Sequence, residues 1–189
     1  MPKSTPMIVY LNGQYLPEHE AKISVADRGF LFGDGIYEVI RVVRGTLFMA
    51  SEHLERLSES LSHVEIHPVT FGHQPGQPGQ TNQSGQTNQP GQTNQLAPSE
   101  FHHYLFGVME ELIRLNNLQE GEAAIYIQIT RGGVFPRTHH FPEEPVTPTI
   151  YLSASSFAPY TELHQTGTNA ITFADQRWSQ CHIKSVNLL

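Results

Sequence analysis

Apolar residues recur along this chain at two spacings, and each spacing predicts a kind of element. Residues 7–11 form a short apolar run that stops at Asn12-Gly13, the dipeptide best suited to a two-residue hairpin turn. Gln14, Tyr15 and Leu16 then read as the returning strand. Residues 35–43 (GIYEVIRVV) alternate, so that Tyr37 and Val39 share one face and Glu38 and Ile40 the other. Arg44-Gly45 predicts a turn from there into a strand over 46–50. Helical spacing takes over after Ser51, a candidate cap, with Leu54, Leu57, Leu61 and Val64 on one stripe. A second helix is expected from Ser99, its stripe being Phe101, Leu105, Val108, Met109, Leu112 and Leu115, with Asn116-Asn117 and Gly121 to end it. In 123–130 Ile125, Ile127 and Ile129 alternate with Tyr126, Gln128 and Thr130, and segments 149–155 and 168–174 supply two more strands. The pattern is α+β, an antiparallel sheet with two helices on one face.

One tract follows neither period. Residues 72–95 contain GQTNQ beginning at Gly79, Gly85 and Gly91, with no Lys, Arg, Asp or Glu and no large apolar side chain. Such a segment cannot bury enough surface to offset the entropy of ordering, so it is expected to be a disordered insertion in a surface loop. It divides an N-terminal unit of 1–71 and 96–163; residues 164–189 look like the start of a second unit. The last residues, SVNLL, are apolar and carry no cap, so the expectation is a chain truncated inside that second unit.

Composition narrows the class. Eighteen acidic against eleven basic residues give the 189-residue chain a net charge of −7, which argues against a basic nucleic-acid-binding face. No apolar run reaches the roughly 20 residues needed to span a bilayer, and the N-terminus lacks the pattern of a secretory signal. Cys181 is the single cysteine, so no internal disulfide can form and a cytoplasmic setting is expected.

Three places carry candidate chemistry. Lysine occurs only at 3, 22 and 184, and Lys184 sits between Ile183 and Val186. Burial there would lower its pKa and yield the amine needed for Schiff-base chemistry; the plain alternative is a lysine extending its head into water. In the loop 131–142 (RGGVFPRTHHFP), Arg137 and His139 are two apart, so extended backbone would aim both one way, where they could grip a carboxylate. His140 would point oppositely, and a polar surface loop is the alternative. In 27–41 (DRGFLFGDGIYEVIR), Tyr37 could orient a substrate or simply be amphipathic core. Arg56, on the first helix, could reach a phosphate. The adjacent pairs His102-His103 and His139-His140 lack metal-ligand spacing.

Taken in order, DRGFLFGDGIYEVIRV, EHLERL, ITRG…PRTHHFP and RW…CHIKSVNLL closely resemble the fold-type IV pyridoxal-phosphate transaminases, most of all the D-amino acid (D-alanine) aminotransferases. The likeness covers essentially the whole chain outside the GQTNQ tract. It implies that Lys184 matches the lysine that bonds covalently to pyridoxal 5′-phosphate as an aldimine, and that Arg56 matches the arginine at the cofactor phosphate. It implies that Tyr37, Arg137 and His139 match the trio holding the substrate carboxylate, the Arg and His being offered across a homodimer interface. The implied reaction moves an amino group between a D-amino acid and a 2-oxo acid. Aminodeoxychorismate lyases and branched-chain aminotransferases of the same family are alternatives, against which the Arg-x-His spacing speaks; a catalytically silent remnant or dimerising module is another. His182 departs from the pattern, standing where the D-amino acid enzymes usually carry an acid. Family members also continue for roughly a hundred residues beyond the lysine, a size consistent with a second domain, so this chain alone is expected to be weak or inactive.

Overall fold

The computed structural model describes residues 6–67, 69–71, 93–95 and 97–174. Strands β1 (Ile8–Leu11) and β2 (Gln14–Pro17) form the first hairpin, with Asn12 and Gly13 at φ 47° and 90° as its two left-handed turn residues. A short helix α1 (Arg28–Phe32) leads into the long strand β3 (Gly35–Val43), which turns at Arg44-Gly45 into the two-residue β4 (Thr46–Leu47). Helix α2 (Ala50–His63), the strand pair β5 (Val69–Phe71) and β6 (Thr93–Gln95), and helix α3 (Pro98–Leu115) follow. Strands β7 (Glu122–Thr130) and β8 (Thr149–Ser156) and a short exposed helix α4 (Thr161–Thr166) complete the described chain.

Six strands make one antiparallel sheet in the order β2-β1-β8-β7-β3-β4. Its centre is β7, paired along its length with β3 on one side and β8 on the other. The alternation in these strands sends Ile40, Val42, Ile125, Ile127, Ile129, Ile150 and Leu152 into a core closed by the stripes of α2 and α3. Leu54, Leu57, Phe101, Leu105, Met109 and Leu112 are fully buried there. The Tyr10 and Tyr104 hydroxyls share a hydrogen bond, joining β1 to α3. The opposite face stays open: Tyr37 is 65% and Val39 46% exposed. This is the expected antiparallel sheet with two helices on one face.

Several boundaries differ from expectation. The strand expected over 46–50 ends at Leu47, because Met49 turns left-handed (φ 51°) and α2 begins at Ala50, ahead of Ser51. Helix α3 begins at Pro98 rather than at a Ser99 cap; the Glu100 carboxylate accepts the Ala97 N–H at 3.0 Å and satisfies that end. The last three residues of the expected disordered tract, Thr93–Gln95, instead pair with Val69–Phe71, since backbone pairing needs no apolar side chain; 72–92 lie outside the described residues. Residues 168–174 form no strand, because among the described residues no neighbouring strand offers them backbone partners.

Candidate active site

The N-terminal turn of α1 is built around a buried carboxylate. Asp27 Oδ1 accepts the Gly29 N–H at 2.7 Å, capping the helix, while Oδ2 accepts the hydroxyls of Thr130 and Thr149 at 2.9 and 2.6 Å. These bonds fix α1 to the ends of β7 and β8. The approach is close: a Cβ on Gly29 would lie 2.2 Å from the Thr130 side chain.

From this anchored helix Arg28 reaches inward. It donates through Nε to Asp34 at 2.7 Å, through Nη1 to the carbonyls of Thr138 and His140 at 2.9 and 3.2 Å, and through Nη2 to that of His139 at 3.4 Å. One buried guanidinium thus gathers three consecutive carbonyls of the loop after β7. Arg131 binds the same Asp34 at 2.9 and 3.1 Å and donates to the Val64 and Glu65 carbonyls just beyond α2. Burial pushes the Asp34 carboxyl up, but the hydrogen bonds from Arg131 and Arg28 outweigh it and hold it below the ordinary carboxylate range.

The same loop carries Arg137 and His139, both exposed, and the structure brings them together. The Arg137 guanidinium lies 4.4 Å from the Phe32 ring centroid, and the His139 ring lies 5.6 Å from it at 50°. His140 contributes its carbonyl to Arg28.

Arg56 sits on α2, with its side chain 62% exposed. Its Nε and Nη2 bind the two oxygens of Glu38 at 2.5 and 2.6 Å, and His53 Nδ1 lies 2.9 Å from the same carboxylate. The hydrogen bond from Arg56 lowers the Glu38 carboxyl; burial opposes this and His53 assists it. Among the described residues, Arg56 Nη1 carries no hydrogen bond, so that edge of the guanidinium can accept an anion.

Tyr37 lies on the open face, stacked on Tyr126 with centroids 5.8 Å apart. Its cross-strand neighbour Gln128 lines a cleft of about 270 Å³ together with Leu11, Ile23, Asp27, Thr130 and Tyr151. Among the described residues no hydrogen bond or ring contact joins Tyr37 to Arg137 or His139. Lys184 lies outside the described residues, as does His182. No group of three or more His, Cys, Asp or Glu among the described residues is arranged to hold a metal, and no helix there is long and apolar enough to cross a membrane.

Sequence reasoning missed Glu38, His53, Arg28, Asp34 and Phe32. Glu38 carried a signal: a carboxylate on the Ile40 face of β3 faces the core and must find a cationic partner. His53 meets Glu38 from 15 positions away, and Arg28, Asp34 and Phe32 also depend on residues about a hundred positions away, which local spacing does not reveal.

Residues 35–189 match the family model for amino-transferase class IV. The chain is 40% identical over 182 residues to the D-alanine aminotransferase of Staphylococcus haemolyticus, covering 96% of this chain and 52% of that protein. It is 32% identical over 183 residues to the D-alanine aminotransferase of Bacillus licheniformis, covering 97% and 53%. It therefore spans about half the length of the curated relatives it matches. Among solved structures, the branched-chain amino acid aminotransferase from Escherichia coli superposes with a TM-score of 0.56 at 18% identity, over 81% of this chain and 42% of that one, a likeness of fold. The 4-amino-4-deoxychorismate lyase from Pseudomonas aeruginosa gives 0.51 at 25% identity, over 84% and 43%. With most of its length matched by that family model, this chain belongs to the class IV aminotransferases.

Proposed function

We propose that this chain forms part of a pyridoxal-phosphate-dependent transaminase that moves an amino group between a D-amino acid of the D-alanine type and a 2-oxo acid. The observation that carries this reading is the pairing of Arg137 and His139 on one aromatic ring at the surface. A guanidinium and an imidazole gathered on one ring offer N–H donors to the two oxygens of a carboxylate, which amino and 2-oxo acids share. The names of the relatives supply the D-alanine class. Tyr37 would complete the carboxylate trap with its phenol. The loop would be offered across a homodimer, in a cytoplasmic protein, with 1–71 and 96–163 as the N-terminal unit and 164–189 opening a cofactor unit.

The described residues fit the cofactor. Arg56 presents the open edge of a guanidinium whose other edge is fixed by a buried carboxylate, a donor suited to a phosphate dianion. Lys184 would tether the group and, once displaced by substrate, would take the proton from Cα of the amino donor, and in the second half-reaction would deliver one to Cα of the 2-oxo acid's skeleton. When bound, the pyridine ring serves as the electron sink. The protein's own residues hold the carboxylate and so choose which face of Cα meets Lys184.

The test is borohydride reduction of the purified chain with pyridoxal phosphate, mapped by mass spectrometry, alongside an amino-donor panel of D-alanine, L-valine and aminodeoxychorismate. Label at Lys184 and turnover of D-alanine support the reading. Label at another lysine, or a preference for L-valine or aminodeoxychorismate, refutes it.

A further inference from the structure

The ring of Phe32 is in contact with three cationic or ionisable side chains at once. The Arg137 guanidinium lies 4.4 Å from its centroid, that of Arg28 4.8 Å, and the His139 ring 5.6 Å. Phe32 closes α1, whose start is fixed by Asp27 to Thr130 and Thr149 and whose Arg28 holds the carbonyls of Thr138, His139 and His140. The ring therefore belongs to a rigid element, whereas Arg137 and His139 are exposed side chains on irregular backbone. Among the described residues neither Arg137 nor His139 makes a side-chain hydrogen bond. Among those residues, the Phe32 ring is the one directional contact of their side chains.

We propose that Phe32 is a positioning residue for the anion-binding pair: its ring, in contact with both side-chain heads, holds Arg137 and His139 where they receive the substrate carboxylate. The proposal rests on the carboxylate role given above to Arg137 and His139. An arginine without this contact would sample several rotamers and lose entropy on each binding event, while one resting on the ring is already aimed. Arg28 fixes the backbone of the loop and Phe32 fixes its two side-chain heads. Phe141 extends the arrangement, its ring 4.1 Å from the Arg131 guanidinium, so the far end of the loop rests on the same Asp34-centred network.

The experiment compares the wild-type chain with F32L, F32M, F32Y and R137Q, using pyruvate as the probe. In isotope-labelled protein the His139 ring protons carry the ring-current shift of Phe32, a signature independent of turnover. F32L and F32M, which occupy similar space without a π face, are expected to abolish that shift; F32Y is expected to keep it. Pyruvate affinity, followed by the same resonances, is expected to fall about 2- to 5-fold in F32L and F32M, the range a surface cation–π contact supplies. F32Y is expected to match wild type, as simple loss of packing would not predict. Where D-alanine turnover is measurable, the loss falls on KM while kcat is kept. Unchanged His139 shifts in F32L and F32M, or wild-type pyruvate affinity in both while R137Q binds weakly, would overturn the positioning role alone. Wild-type affinity in R137Q would instead overturn the carboxylate role of the loop, with the ring-current result still deciding whether Phe32 orders the pair.

Discussion

Replacing Asp34 with asparagine is expected to destabilise the protein more than replacing Arg131 with methionine, although both changes cut the same ion pair. Arg28 approaches the Asp34 carboxylate at 2.7 Å and Arg131 at 2.9 and 3.1 Å; the three side chains are 4, 10 and 8% exposed for Arg28, Asp34 and Arg131. Two guanidiniums around one carboxylate leave the cluster with one surplus positive charge. Asparagine raises the surplus to two and turns an amide N–H toward a donor. Methionine brings the cluster to neutrality and leaves the Arg28–Asp34 pair whole. Stranding a buried charge costs about 3–5 kcal/mol, and D34N falls in that range. R131M strands no charge; it gives up hydrogen bonds to Asp34, Val64 and Glu65 but also removes a poorly solvated cation, for a net cost of about 2 kcal/mol. Urea unfolding followed by far-ultraviolet circular dichroism at neutral pH orders the two variants. Acid adds a second check. The folded Asp34 pKa is depressed, so the unfolded state binds the proton more readily and the stabilisation is whole above about pH 4, the ordinary carboxylate value. It drains as the pH falls through the lower folded value, so the gap between wild type and D34N narrows on acidification. An R131M protein as unstable as D34N, or a gap that stays constant in acid, would refute this reasoning.

The remaining expectations concern single positions. In G35A the new Cβ would meet the Ile129 carbonyl oxygen at 2.6 Å and Thr130 Cα at 2.9 Å, backbone atoms of the paired strand; a loss of about 1–3 kcal/mol is expected in urea unfolding. G107A, in helix α3 with nothing within 4 Å of the new Cβ, should instead stabilise by about 1 kcal/mol in the same assay. E38Q exchanges one acceptor for an amide N–H facing Arg56 or His53, so it should loosen Arg56 and weaken pyridoxal phosphate binding, measured by equilibrium dialysis.

The elements that could be read from sequence were those specified by near neighbours. Asn12-Gly13 dictates its hairpin whatever surrounds it, and the stripe from Phe101 to Leu112 names its buried face without knowledge of the partner. The spacing of Arg137 and His139 suggested that extended backbone would aim both one way; the backbone there is irregular, and both side chains contact the Phe32 ring. That spacing did not foretell the ring beside them, because Phe32 stands about a hundred residues earlier, in a glycine-rich run whose candidate was Tyr37. Residues 168–174 show the opposite failure: β-branched and aromatic composition suggested a strand, but a strand exists only where a neighbour offers its backbone.

The pairing of Val69–Phe71 with Thr93–Gln95 brings the chain back beside the point where it left. Helix α3 therefore starts from a position set by that short ladder, whatever number of residues lies between its two strands. The junction behaves as a socket: cutting the polar tract down to a tight turn, or replacing it with a foreign peptide, should leave the sheet, the Arg137 loop and the unfolding midpoint where they are.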